Sequence, residues 1–140
     1  MTDLVFDQKI DLPYVYTAGA VQRDALNGLR EGRLIASRSE NGYVSAPASP
    51  FAPNGTHLSE THEIAPEGVI EASTVAHHLP GAPAFGLIRL DEASHGLLHR
   101  LGGGAEQLGP GARVRAVWRE ERMGSITDIA HFAPAPETVR

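Results

Sequence analysis

The sequence contains no cysteine, and this absence removes several kinds of chemistry at once. Without thiols the chain forms no disulfide, offers no cysteine nucleophile and holds no metal ion through thiolates. Lysine is almost absent too: Lys9 is the only one, so eleven of the twelve basic residues are arginines. Arginine suits fixed, bidentate contacts at interfaces and with phosphates, although high-GC codon usage would produce the same bias.

Aromatic residues and positive charge are also scarce. Aromatics make up 6% of the chain and the formal net charge is −5, so binding to a phosphate backbone is not expected. No apolar run approaches the ~20 residues that a membrane span requires. The N-terminal stretch MTDLVFDQKIDLPY is acidic and does not resemble a signal peptide. We therefore expect a cytoplasmic protein that does not bind membranes.

The N-terminal part of the chain predicts an arm and one helix. A length of 140 residues with 41% hydrophobic content is enough for one folded domain with its own core. Tyr14 and Tyr16 lie two apart, on one side of an extended arm that packs either on its own domain or on a partner. Apolar residues at helical spacing predict a helix over residues 18–31, which Gly32 ends.

Two Asn-Gly dipeptides flank a proline-rich connection after a short predicted strand at residues 34–37. Asn41-Gly42 is typical of a type I′ hairpin turn. The run APASPFAP, residues 46–53, then leads to the second dipeptide, Asn54-Gly55. This arrangement suggests two turns that face each other.

The rest of the sequence is predicted to be almost entirely β. Short alternating segments with glycine-rich corners favour a small closed barrel, and a five-stranded Greek-key barrel of the OB type fits best. The loosely alternating segment 56–64 precedes the stronger strands, which are predicted at residues 68–78, 84–91, 95–101, 113–120 and 125–133.

No arrangement of residues predicts catalysis. The seven histidines suggest a metal enzyme, but their spacing on strands does not bring three or four ligands together. The glycines at 102–104 are explained either by a phosphate held on backbone amides or by a barrel corner. Asp91 and Glu92 are more typical of a solvated turn than of a general base. No catalytic residue, no metal ligand and no cofactor-binding residue is therefore assigned.

The order of these segments resembles the acyl-CoA-associated proteins that join a rubredoxin-like zinc ribbon to a C-terminal OB fold. The similarity covers residues 20–133 and is carried by LREGRLIASR (29–38), GVIEASTVAHH (68–78), LIRLDEASHGLLHRL (87–101) and LGPGARVRAVWRE (108–120). The resemblance implies an arm and helix at 1–33, a ribbon-like segment at 34–56, an OB barrel at 57–133 and a tail at 134–140.

The chain departs from this family where the family has two cysteine knuckles. Residues 38–42, the first knuckle, and residues 52–55, the second knuckle, contain no sulfur. We expect no zinc here. Prolines that stiffen the chain, and burial of Tyr43 and Phe51 against the barrel or a partner, would then hold the segment together.

The family's known associations imply a function. Such proteins are small subunits of thiolase-like enzymes, namely thiolases, acyltransferases or retro-aldolases that act on CoA thioesters in steroid or in aromatic and fatty acid degradation. The resemblance implies a non-catalytic accessory subunit of a hetero-oligomer that stabilises the catalytic subunit and shapes its acyl-CoA channel. It would expose an apolar patch on the helix and the proline-rich segment. The candidate interface residues are Arg33, Tyr43, Phe51, Tyr14 and Tyr16.

Two alternatives stay open at this point. The first is a free-standing CoA or acyl-CoA binding protein, which needs an arginine-lined groove on the barrel. The second is a small histidine-dependent metal enzyme.

Overall fold

The computed structural model describes residues 3–136, beginning with an arm that has no helix or strand before residue 20. One helix, α1 (Ala20–Arg30), follows and ends close to the predicted boundary. Its apolar stripe is buried against the next strand, as Ala25 and Leu29 show. A Cβ on Gly28 would lie 2.5 Å from the Ile35 side chain, so this mid-helix glycine allows the close approach.

A three-stranded antiparallel sheet lies beside the helix. Its strands are β1 (Leu34–Arg38), β2 (Val44–Ser45) and β3 (Glu60–Ile64), in the order β2-β1-β3. The predicted segment 56–64 thus contains a strand, but this strand pairs with β1 and not with the barrel. The division into residues 34–56 and 57–133 stays a prediction. Strand β1 of the first range pairs with strand β3 of the second.

Five further strands form an antiparallel barrel. They pair in the order β6-β5-β4-β7-β8, and an isolated parallel bridge between Leu101 and Phe132 joins the two outer strands. This order and closure define an OB-type barrel, which confirms the predicted fold class. The strands are β4 (Glu67–Val75), β5 (Ala84–Leu90), β6 (Gly96–Arg100), β7 (Arg113–Trp118) and β8 (Ile129–Pro134).

The barrel interior follows the alternation of the strands. In β7, Val114 and Ala116 are buried while Arg113 and Arg115 are exposed. A Cβ on Gly68 would lie 2.1 Å from the Arg89 carbonyl oxygen, so only glycine permits β4 and β5 to meet there. A single apolar cluster includes residues from the three-stranded sheet and from the barrel, so the two parts share one core.

Two local predictions are wrong in detail. Of the two residues in the Asn41-Gly42 turn, only Gly42 has positive φ, +89°, whereas a type I′ turn needs two. Strand β8 starts at Ile129 rather than at residue 125, because a short 3-10 turn, Ile126–Asp128, occupies the preceding residues. The predicted tail lies largely outside the described residues.

Candidate functional site

The two knuckles have the same backbone pattern. In the first, the Ser39 amide donates to the Tyr43 carbonyl at 3.0 Å and the Gly42 amide donates to the Ser39 carbonyl at 3.0 Å. In the second, the Ala52 amide donates to the Thr56 carbonyl, and the Gly55 amide to the Ala52 carbonyl, both at 2.9 Å. Each knuckle therefore keeps a turn of the kind that holds metal ligands in zinc ribbons, but without sulfur.

The knuckles face each other across a small cleft of about 220 Å³. The side chains that line it offer only hydroxyl and amide groups. The amide oxygens already have partners: that of Asn54 accepts from the Thr56 backbone amide at 3.0 Å, and that of Asn41 accepts from the Tyr43 backbone amide at 3.4 Å. Zinc prefers thiolate, imidazole and carboxylate, so these residues do not fit the zinc ion that the fold family implies.

Hydrogen bonds and small side chains hold the ribbon instead. Ser37 Oγ donates to the Ser49 carbonyl at 2.7 Å and accepts from the Ser49 amide at 3.0 Å, which ties β1 to the proline-rich run. The interior is filled by four buried residues, Ala46, Ala48, Ala52 and Leu58. The packing of the segment therefore comes from three alanines and one leucine, and its stiffening by prolines stays a prediction.

Tyr43 and Phe51 behave differently from each other. Tyr43 is partly buried and stacks on His95 of the barrel, with ring centroids 6.5 Å apart. Phe51 is 56% exposed and touches His57 edge-on at the surface. The predicted burial of Phe51 within the chain is wrong, because the alanines leave no interior space for a phenyl ring.

Arg33 lies between two carboxylates. It forms ion pairs with Glu31 and, at 3.4 Å, with Glu63. The hydrogen bonds that Arg33 donates to the Glu31 carboxylate are the main reason that the pKa of Arg33 lies above its ordinary value. The side chain is about half exposed, so the guanidinium is a charge-compensated surface group, and its interface role stays a prediction.

Exposed apolar residues concentrate on the N-terminal arm. Tyr14 is 83% exposed, and Tyr16 is 62% exposed although its hydroxyl donates to Gln22 Oε1 at 2.6 Å. Of the predicted apolar patch, the part on the helix is wrong, because α1 buries its stripe against β1, whereas the proline-rich segment does expose Phe51. The large apolar side chains exposed on the arm are Leu4, Val5, Phe6, Ile10, Leu12, Tyr14, Val15 and Tyr16.

A cleft of about 550 Å³ opens where the barrel closes. Arg100, Arg119 and His131 line it together with one acid, Glu106. Among the described residues no ion pair involves Arg100 or Arg119, and Arg119 Nε donates to the Thr127 carbonyl at 2.7 Å. The cleft therefore has an excess of cationic side chains.

The adjacent glycines act as a barrel corner. Gly103 and Gly104 have positive φ, +60° and +105°, and a Cβ on Gly102 would lie 2.8 Å from the His131 ring. The Gly102 amide donates to the Phe132 carbonyl and the Gly104 amide to Glu106 Oε2, each at 2.9 Å. Since two of the three amides are already used, the corner explanation is favoured over a phosphate held by the loop.

Other charged and titratable groups do not form a catalytic arrangement. Arg113 pairs with Asp91 in a bidentate contact at 2.7 and 3.0 Å, and Arg115 pairs with Glu67 at 2.8 Å. The two exposed arginines of β7 are thus neutralised, which does not favour binding of nucleic acid. Within residues 3–136, no three histidine, aspartate or glutamate side chains are grouped closely enough to bind a metal ion.

Comparisons with known proteins agree with the geometry. The barrel places the chain in the class of OB-fold proteins. Residues 61–119 match the family model described as the ChsH2 C-terminal OB-fold domain, which confirms over this segment the resemblance to the zinc-ribbon and OB-fold family. No curated protein matches the chain in sequence.

Two solved structures share the fold. One is a DUF35-family protein of unknown function from Sulfolobus solfataricus, at 19% identity and a TM-score of 0.58, covering 71% of this chain and 77% of that one. The other is described as an Ltp2-ChsH2(DUF35) aldolase, at 22% identity and a TM-score of 0.62, covering 86% of this chain and 98% of that one. Among the described residues, no helix is long and apolar enough to cross a bilayer.

Sequence reasoning missed two features of the surface. The cluster of Arg100, Arg119 and His131 joins residues from β6, from the end of β7 and from β8, and only the barrel closure brings them together. The exposed apolar arm does have a signal in the sequence, the alternation of large apolar residues from Leu4 to Tyr16, which the two tyrosines alone do not reveal.

Proposed function

We propose that this chain is a non-catalytic accessory subunit of a cytoplasmic thiolase-like enzyme complex that acts on acyl-CoA thioesters, including those of steroid or of aromatic and fatty acid degradation. The match of residues 61–119 to the ChsH2 C-terminal OB-fold domain carries the proposal. A ChsH2(DUF35) chain of the same fold is described together with Ltp2 in an aldolase. The chain would stabilise its partner and help to shape the acyl-CoA channel.

Two properties of the molecule support an accessory role. Among the described residues no group of metal ligands occurs. The Ser45 hydroxyl lies 3.4 Å from His95 Nε2, but it is buried and donates its proton to the Pro47 carbonyl, so it is not set up as a nucleophile and chemistry would come from the partner. The arm presents large apolar side chains that a free monomer has no reason to expose. Both properties are expected of a subunit whose surface is completed by another protein.

Co-expression tests this proposal. The chain is produced with the thiolase-like protein of the source organism, with an affinity tag on one subunit only, and the pair is purified and assayed with CoA thioesters. We expect a stable complex in which turnover requires the thiolase-like subunit. A monodisperse monomer that does not bind this protein, or thioester turnover by the purified chain alone, would overturn the proposal.

A free-standing CoA-binding protein is a second candidate, and the cleft at the barrel closure favours it. Arg100 and Arg119 would meet the CoA phosphates, which bind arginine well. Titration calorimetry with CoA and the isolated chain separates the candidates. We expect Arg100→Ala to weaken any observed binding about tenfold, whereas Arg38→Ala, on the distant ribbon, leaves it unchanged. Absence of heat and of a shift in melting temperature would remove this candidate.

A further inference from the structure

The N-terminal arm has two different faces. In an extended chain, alternate side chains point to opposite sides. Between residues 4 and 16, every even position except Gln8 carries a large apolar side chain. The even face consists of Leu4, Phe6, Ile10, Leu12, Tyr14 and Tyr16, and the odd face carries Asp3, Asp7, Lys9 and Asp11. This period of two is typical of a strand with one buried face.

The described residues do not cover the even face. The exposed fractions on this face range from 62% for Tyr16 to 85% for Phe6. At about 3.3 Å per residue, a fully extended segment from residue 4 to residue 16 would present its apolar face over roughly 40 Å. So long an apolar edge fits an elongated groove better than a single pocket.

The arm leaves the domain beside other apolar surface. A shallow cleft of about 340 Å³ lies at its base, between the start of α1 and the ribbon, lined in part by Val21, Pro50 and His57. His57 is the ring against which Phe51 packs. The arm and the exposed Phe51 therefore border one continuous face of the molecule.

We propose that the arm docks in an extended conformation along an apolar groove of the thiolase-like subunit, with basic residues of that subunit beside Asp3, Asp7 and Asp11. This inference rests on the proposed function. The odd face has a charge of −2, from three aspartates and one lysine, and it therefore favours a groove that has basic residues along its rim.

Charge also disfavours a second copy as the occupant. The whole chain has a net charge of −5, so two copies repel each other. A partner of opposite charge would not meet this repulsion.

Two paired variants test the inference in the co-expressed complex. Ile10→Ser/Leu12→Ser replaces two apolar side chains on the even face. Val5→Ser/Val15→Ser replaces two apolar side chains on the odd face. All four side chains are well exposed, so neither variant should unfold the chain. We expect the first to raise the dissociation constant for the thiolase-like subunit about 30-fold and the second less than about threefold.

Hydrogen exchange gives an independent measurement. Amides of residues 4–16 should exchange rapidly in the free chain and slowly in the complex. Equal effects of the two variants, or unprotected amides in the complex, would overturn the docking of the arm while leaving the proposed function intact. A wild-type chain that does not bind the thiolase-like protein would overturn both. A wild-type homodimer that Ile10→Ser/Leu12→Ser converts to monomer would assign the arm to a second copy and overturn the inference.

Discussion

Asp128 is a buried carboxylate, 1% exposed, in the loop that leads into β8. It accepts hydrogen bonds from the backbone amides of Met123, Gly124 and Ser125 at 2.7 to 3.0 Å. Burial alone would raise its pKa, but these three bonds and the charge of Arg122 lower the pKa below its ordinary value. The carboxylate thus fixes the loop by accepting from three consecutive backbone amides.

Replacing this carboxylate should destabilise the fold. We expect Asp128→Asn to lower the free energy of unfolding at pH 7 by about 2–3 kcal/mol, since hydrogen bonds to a charged acceptor are lost. Asp91→Asn removes an exposed ion pair and should cost less than about 1 kcal/mol. Chemical denaturation of both variants beside the wild type measures the two costs.

The same residue makes stability depend on pH. Because the folded-state pKa of Asp128 is lowered, its contribution is complete above the unfolded value of about 3.9 and is lost as pH falls through the folded value. The difference between wild type and Asp128→Asn should therefore narrow below about pH 4. A difference that stays constant from pH 7 to pH 3 would contradict this role of Asp128.

The sequence could not reveal single residues of this kind. A buried Asp128 and a solvated Asp91 look alike in the chain, because what distinguishes them is the set of backbone amides that the fold brings to one of them. Phe51 shows the converse case. Its burial against the barrel is wrong, because the nearby side chains already fill the interior, whereas its burial against a partner stays a prediction.

At the scale of elements, the ribbon shows how a knuckle fold is held without thiolates. Ser37 is fully buried on β1 and bonds both the amide and the carbonyl of Ser49. Further bonds join the ribbon to the barrel: Ser94 Oγ accepts from the Val44 amide, and the Ser94 amide donates to the Val44 carbonyl, both at 2.9 Å. Serine side chains therefore cross-link the ribbon to itself and to the barrel without any thiolate.

Ser37→Ala should weaken this element. It leaves two backbone groups of Ser49 without their partner in a partly buried place, so we expect a loss of about 2 kcal/mol in the free energy of unfolding. Ser59→Ala, at an exposed position, should change stability by less than about 0.5 kcal/mol. If both variants melt at the wild-type temperature, the ribbon does not depend on the Ser37 bonds.

Elements were predictable where local pattern decides them, and pairing was not. The alternation of β7 and the stripe of α1 are visible in the sequence because each repeats on its own period. The pairing of β3 with β1 depends on a contact across more than twenty residues, which the segment 56–64 does not encode. Strand β8 likewise starts four residues later than predicted, because the loop that Asp128 holds occupies those residues.

At the scale of the whole molecule, the helix and ribbon share a core with the barrel. Leu34 of β1 and Ile70 of β4 belong to the same buried cluster, and Arg122 donates to the Arg30 carbonyl at the end of α1 at 3.0 Å. Because the core continues across the two sheets, separating them would expose apolar side chains that are buried in both. The chain should therefore unfold in one cooperative step.

Leu34→Ala tests this cooperativity from the side of the ribbon. The side chain is 1% exposed, so its truncation should cost about 2–4 kcal/mol. Trp118, the only tryptophan, packs against the shared core from β7 and reports on the barrel. If the two parts unfold together, Trp118 fluorescence and far-ultraviolet circular dichroism should shift to the same lower midpoint.

Leu98→Ala is the control, at a 67% exposed position in the barrel itself. The free energy of unfolding that either probe reports should stay within about 0.5 kcal/mol of the wild type. The opposite result would be an unchanged midpoint for Trp118 fluorescence and a lowered midpoint for circular dichroism in Leu34→Ala. It would mean that the barrel is stable without the ribbon and that the shared core contributes little to either part.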